Sequence, residues 1–169
     1  MFQKISNSWD LVKASAKVLS ADKELMIFPI ISAIGTILVS IVFFLPLFFA
    51  NVGDAILSDS GVLGYIALFL FYIVQYSVIF FCNTALAGAA LIRLRGGDPT
   101  VKDGFRIASS RFSAILGYAL IAATVGMLLR IVSDKSKGLG RTLISLVGFA
   151  WNVATFLVVP VLAVEGIGP

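Results

Sequence analysis

Histidine is absent from the 169 residues, and cysteine occurs once, as Cys82. Without histidine there is no HExxH zinc site, no Ser–His nucleophile pair and no His-dependent phosphatase chemistry. Ordinary axial ligation of haem or chlorophyll is missing with it. One cysteine rules out a disulfide framework within the chain, and its place inside an apolar run reads as a buried, inert thiol. Charge is scarce: 13% of the residues are Asp, Glu, Lys or Arg, against about 25% in an average soluble domain. All nine acidic residues lie outside the apolar runs or, like Glu165, at an edge. An intramembrane aspartyl protease needs two acids inside its spans and a proton-coupled carrier usually one. No Walker or Rossmann glycine pattern occurs, and Gly96-Gly97 reads simply as the lead-in to a helix. These absences point away from an enzyme, and no metal site or cofactor site is expected.

Apolar residues are abundant: 59% of the chain is hydrophobic, with 14 Phe and a mean hydropathy of +1.03. A single compact core cannot hide such an excess, so much of it must face lipid. Four apolar stretches stand out, 25–50, 62–92, 113–132 and 142–164. Each reaches the roughly 20 residues that cross about 30 Å of hydrocarbon. In lipid a lone segment satisfies its backbone groups only as a helix. The expected fold is therefore an all-α membrane protein, one polytopic domain over residues 1–169 with about four transmembrane helices. The first apolar run starts too late and is too long for a signal peptide. Pro29 falls in the first turn of its helix, where a missing N–H costs little. Pro46 is expected to break the first span near its far end, and Pro160 to bend the fourth.

Orientation follows from Lys and Arg. Lys4, Lys13, Lys17 and Lys23 precede the first span; Arg93, Arg95, Lys102, Arg106 and Arg111 separate the second from the third. The first loop holds only Asp54 and Asp59. The positive-inside rule puts the N-terminus and the second loop in the cytoplasm of a cell whose plasma membrane holds the protein. Loop 133–141 disagrees, with Lys135, Lys137 and Arg141 next to Arg130, but nine basic residues outnumber these four. The net charge of +4 thus belongs beside anionic lipid rather than on nucleic acid.

Two basic segments carry a helical apolar period. In 2–20, Phe2, Ile5, Trp9, Val12, Ala16 and Leu19 recur at three- and four-residue steps. This helix is expected along the cytoplasmic interface, with Trp9 on one face and Lys13 and Lys17 on another. In 99–112, Asp98 is placed as the cap and Pro99 as the first helical residue. Phe105 and Arg106 would anchor this second helix at the interface. Asp10 to Ser20 can be laid over Asp103 to Ser113, each followed by two spans, which suggests two copies of one unit.

Gln75, Asn83 and Asn152 are amides inside the spans, and Trp151 adjoins the last. An amide in hydrocarbon is costly unless paired, so they are expected to face other helices, with a substrate or pigment contact as the sharper alternative. Small residues repeat every four positions at Ser32, Thr36 and Ser40, at Ala85 and Ala89 beside Thr84 and Gly88, and at Ala122 and Gly126. Such spacing lets helix backbones approach.

Ser8-Trp9, the run 22–25 leading into Phe28-Pro29, Ala150-Trp151, and Val159-Pro160-Val161 with Glu165-Gly166 resemble an uncharacterised family. Its members are multi-pass membrane proteins of bacteria and archaea, described only as a domain of unknown function. The resemblance runs over nearly the whole chain. Members look longer, with a further basic amphipathic segment and more spans, which implies a shortened version here. The resemblance brings no catalytic residues.

The leading functional expectation is a non-enzymatic bundle, an accessory or scaffold subunit of a membrane complex or a lipid-interacting protein. Its partners would be the bilayer and other membrane subunits or itself, with no nucleic acid. The rival is a component of an oligomeric transporter or channel with Gln75, Asn83 and Asn152 along a wet path. A membrane-bound enzyme would need a cofactor that these side chains do not advertise.

Overall fold

The structure, a computed structural model, describes residues 9–10, 13, 23–49 and 62–164. Among them are five helices and no strand: α1 (Ile27–Phe49), α2 (Val62–Leu94), α3 (Val101–Ser110), α4 (Phe112–Lys135) and α5 (Leu139–Val164). All but α3 are long and apolar enough to cross a membrane. At about 1.5 Å per residue α2 is about 50 Å long, well beyond the hydrocarbon thickness.

The hub is α2, packed against each of the other four helices. Phe28 stands beside Ala85, Gly35 beside Val78, and Phe43 and Phe44 beside Phe71. As numbers rise along α1 they fall along α2, so the pair is antiparallel. Tyr76 lies near Gly126 and Tyr72 near Arg130, which sets α4 antiparallel to α2 on another side. Gly148 meets Leu129, which returns α5 alongside α4.

Small residues make this packing close. Ala85, Ala89, Ala119 and Ala122 are buried, so both α2 and α4 present shallow surfaces to their neighbours. Large side chains point the other way. Ile30, Ile34, Ile37 and Ile41 form an exposed stripe on α1, and Leu143, Leu146, Val147 and Phe149 are exposed on α5. A protein surrounded by water rarely leaves such continuous apolar surface open; hydrocarbon is the medium that suits it.

Helix ends follow local chemistry. Gly96, at φ +86°, closes α2: its N–H donates to the Arg93 carbonyl and that of Gly97 to the Ile92 carbonyl, each at 3.0 Å. This is the Schellman arrangement, and glycine takes its left-handed residue without strain. The start of α3 differs from expectation. Its cap is Thr100, whose hydroxyl accepts from the Asp103 N–H while the Asp103 carboxylate accepts from the Thr100 N–H. Asp98 bonds Arg93 instead, and Pro99 is buried just before the cap. A hydroxyl three residues ahead of an acid satisfies two orphan donors at once, which Asp98 cannot do. Pro46 does not end the first span, since α1 continues to Phe49. The connection between α4 and α5 is shorter than expected, only residues 136–138.

Candidate functional site

The most built region lies where α1 begins, α2 ends and α3 crosses. Phe28 and Leu25, each 1% exposed, are its plugs. The Phe28 ring meets Phe105 edge-on at 5.4 Å between centroids, and Phe105 stacks on Phe81 at 5.8 Å. Gly104 and Ala108 face inward from α3 and are buried. A Cβ at Gly104 would collide with the Phe28 ring and stand 2.8 Å from the Ala85 carbonyl oxygen; one at Gly88 would stand 2.9 Å from Ile107. The apolar side of α3 is thus applied to α2 and to the first turn of α1. Phe105, read from the sequence as a membrane anchor, is half-buried among aromatic rings.

The polar side of α3 faces outward. Arg106 is exposed and pairs with Asp103 at 3.0 Å, one turn apart. The Thr100 hydroxyl donates to the Asp103 carboxylate at 2.7 Å and the Thr100 N–H adds a second bond at 3.1 Å. These bonds, then the charges of Arg106 and Lys102, hold the Asp103 carboxyl below the usual carboxylate range. Arg93 bonds Asp98 at 2.9 Å. Lys23 and the basic residues of 93–111 gather at this end of the bundle. Arg130, Lys135, Lys137 and Arg141 mark the other, where Arg130 lies 3.9 Å from Asp134 and 3.5 Å from the Tyr72 hydroxyl.

Of the first basic segment, Trp9, Asp10 and Lys13 are described; Lys17 lies outside the described residues, as does most of the 2–20 segment expected to form the interfacial helix. Trp9 is exposed, and the Lys13 ammonium sits 6.0 Å from the centre of its ring. The expectation of separate faces for Trp9 and Lys13 is corrected by this contact, because residues four apart share a helix face.

The three intramembrane amides do not come together. Gln75 and Asn83 are partly buried on α2, and the Gln75 carbonyl oxygen is enclosed without a hydrogen-bond donor. Asn152 is exposed on α5. A cavity of about 90 Å³ between α2, α4 and α5 is lined by Phe80, Tyr118, Ile121, Trp151, Thr155 and Val158, and by none of the amides. Among the described residues, no three of His, Cys, Asp and Glu are grouped as a metal ion requires.

Sequence reasoning missed two features of this region. The Thr100 cap was legible in Thr100-Val101-Lys102-Asp103, a hydroxyl and an acid at capping-box spacing. The seating of Phe28 on Gly104 had no local signal, since the two residues lie far apart in the chain.

Residues 62–169, well over half of the chain, match a family of unknown function, DUF6159, and the chain belongs to it. The match begins with the first residue of α2, so α1 and the motifs near Trp9 and Phe28 fall ahead of it. No curated protein and no solved structure matches the chain.

Proposed function

We propose that this member of DUF6159 is a non-enzymatic protein of the cell membrane that works by contact, as an accessory or scaffold subunit of a membrane complex. The observation that carries this reading is the openness of the flanking spans. α1 packs on α2 with one stripe, α5 packs on α2 and α4, and each leaves most of its apolar surface uncovered. Little in the interior is arranged to receive a polar substrate. The hydroxyls of Thr36, Ser40, Ser77, Thr124 and Thr155 donate to carbonyls one turn back in their own helices. The described cavity has chiefly apolar walls.

In this reading the end holding Lys23 and α3 is cytoplasmic, as is the N-terminus. Lys102 and Arg106, outward on α3, meet the anionic head groups of the inner leaflet. The charge at the opposite end narrows the contrast but leaves more basic residues on the cytoplasmic side.

The test is purification from native membranes in a gentle detergent, with mass spectrometry of everything retained. Other membrane proteins at fixed stoichiometry would support the accessory role and name the complex. A chain that emerges with no other subunit, under conditions that keep known complexes whole, overturns it.

A further inference from the structure

The packed side of α5 carries Gly148, Trp151, Thr155 and Val158 toward α4 and α2. On the flank beside it Thr142, Ser145, Phe149, Asn152 and Phe156 follow at steps of three, four, three and four, and all five are exposed. Phe149 is 69% and Phe156 71% exposed. That alternation is the seam spacing by which two helices run side by side. Thr142 and Ser145 are small, and Asn152 lies between the rings of Phe149 and Phe156, so a facing helix can approach at Ser145 and Asn152 while the rings close the gaps.

Asn152 is the fourteenth of the 26 residues of α5, which places it near mid-span. The hydroxyls of Thr36, Ser40, Ser77, Thr124 and Thr155 donate to their own backbone; among the described residues the Asn152 side chain makes no hydrogen bond. An amide left bare in hydrocarbon costs several kcal/mol, so a polar partner at the same depth is called for. We infer that the partner is a second copy of this chain, docked along this flank by a two-fold axis parallel to the membrane normal. Such an axis holds every residue at the depth of its own copy. An amide both donates and accepts, so two Asn152 side chains near the axis satisfy each other with two hydrogen bonds. A different subunit would need a matching polar group at this one depth.

The inference rests on the reading of α5 as a membrane span and goes beyond the accessory role, since a pair could enter a larger complex intact. The experiment uses the full chain, tagged with donor or acceptor fluorophores and reconstituted into phosphatidylcholine–phosphatidylglycerol vesicles at falling protein-to-lipid ratios. Energy transfer should report a dimer. Asn152→Leu should weaken it about tenfold, the size expected of two interhelical hydrogen bonds in a bilayer. Asn152→Gln, which keeps the amide, should retain most of the association, and because the site is exposed neither change disturbs the fold. A wild-type chain that stays monomeric at every ratio, or an Asn152→Leu variant that associates like wild type, overturns the dimer seam and leaves the accessory role standing. Extraction of the protein from the vesicles by alkaline carbonate would instead remove the membrane reading, and the seam with it.

Discussion

The ring of Phe28 occupies the space a side chain at position 104 would need, and Gly104 is what lets α3 lie against both α1 and α2. A Cβ there would meet the ring and would also stand 2.8 Å from the Ala85 carbonyl oxygen. The ring can turn; the carbonyl belongs to the backbone of the central helix and cannot.

Gly104→Ala is therefore expected to destabilise the fold by about 1–3 kcal/mol, the usual cost of overpacking. Thermal unfolding in detergent reads it as a lower midpoint. Pairing it with Phe28→Leu should relieve one of the two clashes, so the double variant should be more stable than the sum of the single effects. A midpoint unchanged by Gly104→Ala would mean that α3 does not rest on Phe28.

The Thr100 cap should reveal itself through pH. Because the folded-state pKa of Asp103 lies below its ordinary value, the carboxylate contributes stability above that ordinary value. The contribution fades as pH falls through the folded value. Thr100→Ala should cost about 1 kcal/mol at neutral pH. It should also raise the Asp103 pKa toward the ordinary range, so the variant should lose less stability on acidification than the parent protein. Following the unfolding midpoint of both proteins from neutral pH down to about 3 checks this; parallel curves would show that the cap and the carboxylate are not coupled.

Lys13 and Lys17 are expected to hold the N-terminal segment on an anionic bilayer, each with about 1 kcal/mol of attraction. With both changed to Glu in a Trp151→Phe background, Trp9 emission should shift to the red and be quenched less by brominated lipids. Emission that does not change would place Trp9 somewhere other than the bilayer surface.

Ser58 lies outside the described residues, in the segment joining α1 to α2. In a Cys82→Ala background, Ser58→Cys should react with a membrane-impermeant maleimide on intact cells. Reaction only after permeabilisation would invert the orientation and put the α3 end outside.

Much of this protein was legible before its fold was known. Four runs of the right length became α1, α2, α4 and α5 within three residues at each end, because a backbone in hydrocarbon has few alternatives to a helix. The period in 99–112 located α3, and the small residues Ala85, Gly88 and Ala89 marked the surface it rests on. The candidate site was less legible. Phe105 read as a membrane anchor because its spacing shows only that it avoids water, and the three amides looked alike because each is a polar group in an apolar run.

The chain alone determined that the protein is helical, how many helices are long enough to span a membrane, and where basic residues crowd their ends. These are local properties of windows of about 20 residues, read against the thickness of a bilayer. Only the tertiary structure decided that α2 is the hub, that Phe28 and Gly104 meet, and that Asn152 stays bare while Gln75 is enclosed. The reason is physical: lipid tails are as apolar as leucine, so an apolar face records that water is excluded and leaves open whether lipid or protein excludes it.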